Sequence, residues 1–274
     1  MNQNRIGIFD SGVGGLTVLR AIERQLPRES VLYFGDTARL PYGNRSEAEI
    51  VQFVREILTW MAAEGVKMVL MACNTSSALA LEIVRDEVDF PILGLILPGA
   101  KAAVEAGRRI GVIATAATVA SDAYRRAMLE VENTASVWQI PCPKFVPLIE
   151  DNRIFDPYTE EVTWEYLAPL VDANIDTLIY GCTHYPLLEP VVRSLLSDRV
   201  RLVDPAVHLV AAAARELELL GLRSTSTALP TRFGVSGDPD SFANLSVRWL
   251  GYTPTVEKVV LPQVEPSFIN PLRP

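Results

Sequence analysis

Short apolar runs alternate with longer amphipathic segments along most of this chain. The apolar runs are rich in Ile, Val and Leu and end at small or polar residues, whereas the segments between them carry apolar residues at helical spacing. Regular alternation of strands and helices is typical of α/β folds with parallel sheets. The predicted strands are Ile6–Phe9, Val31–Phe34, Val66–Met71, Pro91–Ile96, Arg109–Ile113, Val137–Ile140, Asp176–Tyr180, Val200–Val203, Thr231–Val235 and an edge strand at Val256–Leu261.

The amphipathic segments predict helices with recognisable end signals. Ser46 and Glu49 form a capping-box pattern at the start of one helix, and Gly221 stops another. The Pro98-Gly99 pair indicates a crossover between two domains. The apolar run from Val146 is interpreted as a strand that ends in the carboxylate of Glu150. The predicted helices are Leu16–Leu26, Ser46–Ala63, Ser76–Val88, Pro98–Ala106, a helix ending near Val131, Glu160–Asp172, Leu188–Leu196, Val207–Leu220 and Phe242–Leu250.

Composition narrows the class of protein. A chain of 274 residues allows one large domain or two of ordinary size, and 49% hydrophobic content is enough for a packed core. A net charge of -8, from 33 acidic and 25 basic residues, argues against general nucleic-acid binding. No apolar run reaches membrane-spanning length, and no signal-peptide hydrophobic region follows the first residues. Three cysteines cannot all pair, so we expect a reducing, cytoplasmic compartment.

Two segments, Val69–Ser77 and Leu178–Pro186, repeat one layout. In each, an apolar run leads to a small residue, then to a cysteine (Cys73 or Cys182), two polar residues and a helix-like segment. Ligands of doubly wound α/β folds bind at the carboxyl ends of strands. We therefore expect both thiols at a pocket mouth, each beside a helix N-terminus that favours the thiolate.

Two thiols that face each other across a pocket can act on one carbon from opposite sides. One removes a proton while the other donates one, which is the arrangement of a racemase or epimerase. Because a free thiol with a pKa near ~8.5 is only about a few per cent thiolate at neutral pH, proton-transfer partners are expected nearby. The candidates are Asp10 at the end of the first strand, His184 after Cys182, and Glu150, which can orient His184.

Other kinds of site fit the sequence less well. The strand, glycine-rich turn and helix at 6–26 lack the glycine offsets and the Gly-Lys-Ser/Thr of phosphate loops, so a tight turn that needs glycine geometry is the alternative. A zinc site at the cysteine motifs lacks a Cys-x2-4-Cys pair, and a cysteine hydrolase would leave the second motif unexplained. Cys142, between prolines, is interpreted as structural, and His208 as a capping or surface histidine.

At these motifs the chain resembles the glutamate racemases of the cofactor-independent aspartate/glutamate racemase superfamily. The resemblance covers essentially the whole chain, with the motifs in the same order. The segments that carry it are Gly7–Thr17, Phe34–Thr37, Pro41–Gly43, Ala72–Thr75, Pro98–Lys101, Val146–Glu150 and Gly181–Pro186.

The resemblance implies two doubly wound α/β domains with parallel sheets, related by a pseudo-twofold axis, with the active site between them. Residues 1–96 with 208–274 would form the domain of Cys73, and residues 97–207 the domain of Cys182. It also implies interconversion of L- and D-glutamate without a cofactor or metal, supplying D-glutamate for peptidoglycan. A cytoplasmic homodimer with no nucleic-acid or membrane partner is the matching expectation.

The resemblance further implies a role for each site residue. Cys73 would take the α-proton from D-glutamate and Cys182 from L-glutamate. Asp10 and His184 would assist them, with Glu150 supporting His184. The implied substrate contacts are Asp10, Ser11, Tyr42, Gly43, Asn74, Thr75, Thr118, Thr183 and His184.

Two alternatives remain open on the sequence alone. The substrate could be aspartate or another acidic amino acid, since only pocket size separates these racemases. A small-molecule-binding or regulatory α/β protein could also keep the fold without turnover, although the two intact cysteine motifs argue against it. Three departures from the family pattern lie outside those motifs: Leu97 before Pro98, Ala114 before Thr115, and Asp151-Asn152 after Glu150.

Overall fold

The computed structural model describes residues 4–264, in which the alternating strands and helices form two parallel sheets. The strands are β1 (Ile6–Asp10), β2 (Val31–Gly35), β3 (Met68–Met71), β4 (Ile92–Gly94), β5 (Arg109–Ala114), β6 (Ser136–Pro141), β7 (Thr177–Gly181), β8 (Arg201–Val203), β9 (Arg232–Val235) and β10 (Val256–Lys258). The helices are α1 (Leu16–Gln25), α2 (Glu47–Ala63), α3 (Asn74–Leu79), α4 (Leu81–Val84), α5 (Ile96–Ala106), α6 (Ala116–Ala120), α7 (Ala123–Val131), α8 (Phe145–Glu150), α9 (Pro157–Asp172), α10 (Glu189–Leu195), α11 (Pro205–Leu219) and α12 (Pro239–Leu250). Short 3-10 turns occupy Thr37–Arg39, Tyr42–Asn44 and Tyr185–Leu188.

The two sheets share one winding pattern. The six-stranded sheet has the order β10-β9-β2-β1-β3-β4, and the four-stranded sheet has the order β6-β5-β7-β8. Every strand pair in both sheets is parallel. The series β2-β1-β3-β4 therefore matches β6-β5-β7-β8, so that β3 and β7 occupy equivalent places. This confirms the predicted α/β class with two parallel sheets.

The six-stranded sheet is discontinuous in sequence. Strands β1 to β4 precede the four-stranded sheet along the chain, and β9 and β10 return to the first sheet beside β2. Helices α5 and α11, which connect the sheets, pack against each other. The domain boundaries at 96/97 and 207/208 stay predictions.

Alternation along the strands divides the core into layers. In β3, Met68 and Leu70 belong to one buried cluster, whereas Val69 and Met71 belong to another on the opposite face. Both faces of the strand are covered because successive side chains of a strand point to opposite sides. The strands can therefore be apolar throughout, as parallel sheets require.

Two prolines lie inside helices. Pro98 and Gly99 lie inside α5, the helix that connects the two sheets, where the sequence predicted a crossover. The run ending in Glu150 was assigned wrongly, because it is the helix α8 and not a strand. In α5 and α8 the proline (Pro98 or Pro147) is the third helical residue, where the backbone N–H has no partner within the helix and its loss costs little. Gly99 allows close packing, because a Cβ there would lie 3.0 Å from Pro205.

Two predicted helices are interrupted. The segment after Cys73 forms the two short helices α3 and α4, which meet at Ala80. The helix before Val131 is broken at Asp122, whose φ of 56° is left-handed and therefore incompatible with a continuous helix. The capping box of Ser46 and Glu49 is confirmed, with both reciprocal hydrogen bonds present.

The C-terminal part of the chain contains the predicted helix stop at Gly221 and the predicted edge strand from Val256. Gly221 follows α11 with a φ of 66°, which confirms it as a helix stop. The predicted edge strand from Val256 is confirmed but ends at Lys258. The tail after Val264 lies outside the described residues. Within the part of the chain that is described, no helix combines the length and the apolar character needed to cross a membrane.

Each of the three positions that depart from the family pattern has a simple structural setting. Asn152 has a φ of 60°, a conformation that Asn adopts more easily than most residues, so it can replace the glycine of a turn. The Ala114 side chain faces Gly181, where an added Cβ would lie only 2.7 Å from the Cβ of Ala114. The methyl group of Ala114 is accommodated because Gly181 has no side chain. Leu97 is half-exposed on α5.

Candidate active site

A cavity of about 350 Å³ lies where the carboxyl ends of strands from both sheets meet. Its wall includes residues that follow β1, β3, β5 and β7, together with residues of the loop before α2 and of α8. The wall is formed by Asp10, Ser11, Leu40, Pro41, Tyr42, Gly43, Asn44, Cys73, Asn74, Thr75, Thr115, Ala116, Cys142, Pro143, Val146, Pro147, Glu150, Asp151, Cys182, Thr183, His184 and Tyr185. Both cysteine motifs therefore reach one enclosed space.

Cys73 stands between β3 and α3 and is 5% exposed. Burial, followed by the charge of Asp10, raises the pKa of its thiol to about 12, against a smaller lowering by Ser76. The predicted thiolate preference at the helix N-terminus is therefore wrong for Cys73. The short helix α3 does not offset the loss of solvent and the nearby carboxylate.

Cys182 follows β7 in the equivalent place and lies beside a histidine. Its Sγ is 3.8 Å from Nδ1 of His184, and Nε2 of the same ring is 3.3 Å from Oε1 of Glu150. His184 and Glu150 therefore form an ion pair, but the geometry between Nε2 and Oε1 is not that of a well-directed hydrogen bond. Burial alone lowers the pKa of His184, but the contacts with Cys182 and Glu150 and the charge of Asp10 outweigh it and raise that pKa to about 10. The imidazole is therefore protonated at neutral pH.

Asp10 ends β1 and is fully buried. Its Oδ2 accepts a hydrogen bond of 2.7 Å from the backbone N–H of Gly15. Burial raises the pKa of this carboxyl, whereas His184 and backbone N–H groups of the following turn lower it by less. Asp10 is thus a carboxylate held beside the cavity with little solvent, which makes it a stronger base than an exposed one.

The glycine-rich turn after Asp10 serves close packing. None of its glycines has a positive φ, so the predicted need for special backbone geometry is wrong. A Cβ at Gly14 would lie 2.4 Å from Nδ1 of His184, and one at Gly15 would lie 2.6 Å from Cβ of Asp10. The turn therefore brings the chain close to two of the candidate catalytic side chains.

Asn74 presents an unused donor. Its Oδ1 accepts a 2.6 Å hydrogen bond from the buried hydroxyl of Tyr124. This bond fixes the orientation of the amide, and Nδ2 is buried with no hydrogen-bond partner among residues 4–264. An unpaired buried N–H₂ on a cavity wall suits a ligand oxygen. Tyr124 was missed, because it follows no strand and lies in no motif.

A cluster of three threonines joins the two halves. The hydroxyl oxygens of Thr75 and Thr115 are 3.0 Å apart, and those of Thr115 and Thr118 are 2.9 Å apart. Thr75 and Thr115 line the cavity, but the fully buried Thr118 is not on its wall and lies behind them. Direct contact of Thr118 with a ligand stays a prediction. Thr115 was missed, although it follows β5 as Ser11 follows β1.

The loop before α2 closes one side of the cavity. The Tyr42 hydroxyl donates to the buried carboxylate of Asp36, and direct contact of Tyr42 with a ligand stays a prediction. The other oxygen of Asp36 accepts 2.6 Å from Ser236. Gly43 faces Thr115, since a Cβ at Gly43 would lie 3.1 Å from Cβ of that threonine. Asp36 thus holds the loop by its side chain.

The third cysteine also reaches the cavity. Burial raises the pKa of Cys142, whose Sγ donates to the Ile140 carbonyl at 3.4 Å and whose own carbonyl accepts 3.0 Å from the Tyr185 hydroxyl. These contacts favour the predicted structural role. His208 is exposed on α11, as predicted. Within residues 4–264, no group of three or more His, Cys, Asp or Glu side chains is placed to hold a metal ion.

Comparison with known proteins agrees with this architecture. The sequence model of the Asp/Glu/hydantoin racemase family matches residues 6–213. The chain belongs to this family. A glutamate racemase of Gloeothece citriformis is 66% identical over 257 residues, which cover 94% of this chain and 92% of that protein. A glutamate racemase of Synechocystis sp. is 64% identical over 270 residues, covering 98% of this chain and 97% of that protein.

Solved structures of family members superpose closely. A glutamate racemase isoform from Bacillus anthracis has a TM-score of 0.92 at 37% identity, covering 96% of this chain and 99% of that one. The enzyme from Francisella tularensis, solved in complex with D-glutamate, has a TM-score of 0.89 at 34% identity, covering 95% and 98% of the two chains. An aspartate racemase from Picrophilus torridus, at 18% identity and a TM-score of 0.52, shares the fold alone.

Proposed function

We propose that the protein interconverts L- and D-glutamate, with Cys73 and Cys182 as the two acid-base groups. The observation that carries this proposal is that two nearly buried thiols, from equivalent strands of two sheets, line one cavity. Inversion of a carbon needs a proton removed on one side and returned on the other. Two cysteines at the ends of matching strands provide this arrangement.

The family resemblance supplies the direction proposed for each thiol, and their surroundings differ. The protonated His184 places positive charge 3.8 Å from Cys182 Sγ. Cys73, with a pKa of about 12, is a thiol at neutral pH. In this state Cys182 takes the α-proton of L-glutamate and Cys73 donates to the opposite face, giving D-glutamate. The reverse reaction uses the opposite protonation of both thiols.

Asp10 and His184 have matching roles on the two sides. The buried carboxylate of Asp10 raises the pKa of Cys73 and is a base that can exchange a proton with it. His184 can likewise exchange a proton with Cys182, and Glu150 supports the protonated form of His184 at 3.3 Å. Both partners approach the cavity from the carboxyl end of a strand. Each thiol therefore has its own proton-transfer partner.

The polar wall suits the carboxylates of the substrate. The free Nδ2 of Asn74 and the hydroxyls of Thr75 and Thr115 are donors on one side of the cavity. Ser11 and Thr183 add hydroxyl groups near the cysteines. Donors fixed in place before the substrate arrives also stabilise the negative charge that develops when the α-proton leaves.

Glutamate is favoured over aspartate by the comparisons. Relatives more than 60% identical over nearly the whole chain are named glutamate racemase, whereas the aspartate racemase shares the fold alone. From this we infer a supply of D-glutamate for peptidoglycan, without a cofactor, by a cytoplasmic homodimer. The location and the dimer rest on the family resemblance.

The decisive experiment follows the α-proton of L-glutamate by NMR in D₂O, with optical activity read by circular dichroism, on metal-stripped protein. We expect loss of both signals with the native protein and almost none with Cys73→Ser or Cys182→Ser. Cys142→Ser is the matched control, because it changes a cysteine on the same wall and its hydroxyl can still donate to Ile140. Normal turnover by Cys182→Ser would refute the two-base mechanism.

Two further measurements separate the alternatives. Relative kcat/KM for glutamate and aspartate decides between acidic substrates, and a higher value for aspartate would overturn the proposed substrate. Calorimetric binding of glutamate by folded, reduced protein without loss of the α-proton signal would instead indicate a binding protein.

A further inference from the structure

The last turn of α12 touches the His184–Glu150 pair, although α12 connects two strands of the six-stranded sheet. Nη1 of Arg248 donates a 2.5 Å hydrogen bond to the carbonyl of Ile149. The Trp249 ring lies perpendicular to the His184 imidazole, at 87° with 6.1 Å between centroids. One helix thus reaches His184 and the backbone next to Glu150 from the opposite half of the molecule.

The hydrogen bond from Arg248 acts on the backbone that carries Glu150. Ile149 precedes Glu150 in the last turn of α8, and its carbonyl also accepts a 3.1 Å hydrogen bond from the backbone N–H of Asn152. A charged donor at that carbonyl fixes the end of α8, and with it the point from which the Glu150 side chain reaches His184. This explains how a residue outside the cavity can determine the 3.3 Å contact.

Trp249 is placed at an energetic cost. It is 2% exposed, and its indole N–H has no hydrogen-bond partner in the described range of residues. A buried donor without a partner is unfavourable, so a phenylalanine would avoid a cost that tryptophan incurs. The larger ring fills the space beside His184, and the Arg248 guanidinium, 5.9 Å from the indole centroid, covers it.

We propose that Arg248 and Trp249 are positioning residues for the His184–Glu150 pair and so control proton transfer on the Cys182 side. The inference rests on the proposed racemase function. The Cys73 side is held differently, since Asp10 is fixed by the backbone N–H of Gly15. Loss of the α12 contacts should therefore impair one of the two proton transfers.

Isotope effects are needed to show which of the two proton transfers is impaired. Because the equilibrium constant of racemisation is one, kcat/KM must fall equally for both enantiomers in any variant. When the Cys182 step becomes the slowest, breaking the α-bond of L-glutamate limits the rate. For D-glutamate the α-bond breaks earlier, at Cys73, and the slow step is donation from Cys182.

The test compares Trp249→Leu and Arg248→Met with conservative variants. Loss of either contact should lower kcat about tenfold or more, since misplacing a catalytic group by about 1 Å can cost about a hundredfold. Trp249→Phe keeps an aromatic ring beside His184 and Arg248→Lys keeps a cationic donor, so both should recover most of the activity. Val247→Ala, at an exposed neighbouring position of α12, is the control and should match the native protein.

The isotope effect decides between positioning and general damage. For Trp249→Leu we expect the effect of α-deuterium on kcat/KM to rise for L-glutamate and not for D-glutamate. An equal change for both enantiomers, or a rate equal to that of Val247→Ala, would overturn the proposal. Thermal unfolding of all variants shows whether a low rate reflects lost folding.

Histidine NMR tests the contact without turnover. The chain has two histidines, His184 and His208, and only His184 is buried. With ¹⁵N-labelled histidine, Trp249→Leu should shift the ring signals of His184 and leave those of His208, whereas Val247→Ala should shift neither. Unchanged His184 signals would overturn the inference. Should the native protein fail to racemise glutamate, the proposed function fails, and this measurement alone decides whether α12 positions His184.

Discussion

Replacing Gly14 by alanine should disable the site while leaving the fold in place. The added Cβ would lie 2.4 Å from Nδ1 of His184 and 2.5 Å from Oγ1 of Thr183, whereas ordinary contact begins near 3.4 Å. The imidazole must therefore move by about 1 Å. It is 3% exposed and already touches Cys182, Glu150 and Trp249, so it cannot move without altering those contacts.

The size of the effect follows from that displacement. A shift of about 1 Å at a proton-transfer group can cost about a hundredfold in rate, which corresponds to about 2.7 kcal/mol of activation free energy. Global stability should change less, because the turn itself has no positive φ and alanine is compatible with its backbone. We expect kcat to fall about a hundredfold, with the thermal midpoint lowered by only a few degrees.

Gly12→Ala is the matched control within the same turn. Its Cβ would lie 3.4 Å from the nearest atom, Cδ1 of Leu40, which is ordinary contact with the end of a flexible side chain. Racemisation is followed by circular dichroism, and folding by thermal denaturation of both variants. Equal rates for Gly14→Ala and Gly12→Ala would refute the argument that the turn is glycine-rich because His184 packs against it.

Three other changes test separate parts of the structure. The pKa of His184, about 10 in the fold against 6.5 for the free group, means that its contribution to stability is complete below pH 6.5 and is lost as the pH rises through about 10. His184→Asn should therefore flatten the pH dependence of the unfolding free energy in urea titrations, and an unchanged slope would contradict the assignment. Tyr124→Phe frees the Asn74 amide and should raise KM about two- to tenfold, since one hydrogen bond contributes about 0.5–1.5 kcal/mol; an unchanged KM would show that the bond does not orient Asn74. Lys67→Met leaves the buried Glu29 without the ammonium 2.6 Å away and should cost about 3–5 kcal/mol in urea unfolding with little change in kcat, whereas a loss below about 1 kcal/mol would place this pair among weak surface ion pairs.

The two thiols were predictable because their positions depend on local pattern. An apolar run that ends in a small residue and a cysteine predicts a buried strand and a side chain at its carboxyl end, and both cysteines lie there. Glu150 was placed beside His184, although on the wrong element. A short apolar run cannot be assigned to strand or helix by periodicity alone, and Pro147 suits the first turn of a helix.

Contacts between distant segments explain what the sequence could not predict. The pKa of Cys73 depends on Asp10, which reaches it only because β1 and β3 are neighbours in the sheet. The orientation of Asn74 depends on Tyr124 from the other half of the molecule. Asp10 was marked as a candidate by its place at the end of β1, but its effect on the Cys73 pKa was not, and Tyr124 lies in no motif. Burial and charge at the site therefore follow from tertiary packing.

The matching strand order of the two sheets hides a chemical difference between the thiols. Cys73 lies near a carboxylate that opposes its ionisation, whereas Cys182 lies beside a protonated imidazole. Under the proposed mechanism, one turnover from L-glutamate leaves Cys73 ionised and Cys182 protonated. With a pKa of about 12, the Cys73 thiolate is basic enough to regain a proton readily. Under the same proposal, Asp10 and His184 would move the protons that restore the starting state, so their proposed role includes resetting the enzyme between turnovers as well as assisting the thiols during them.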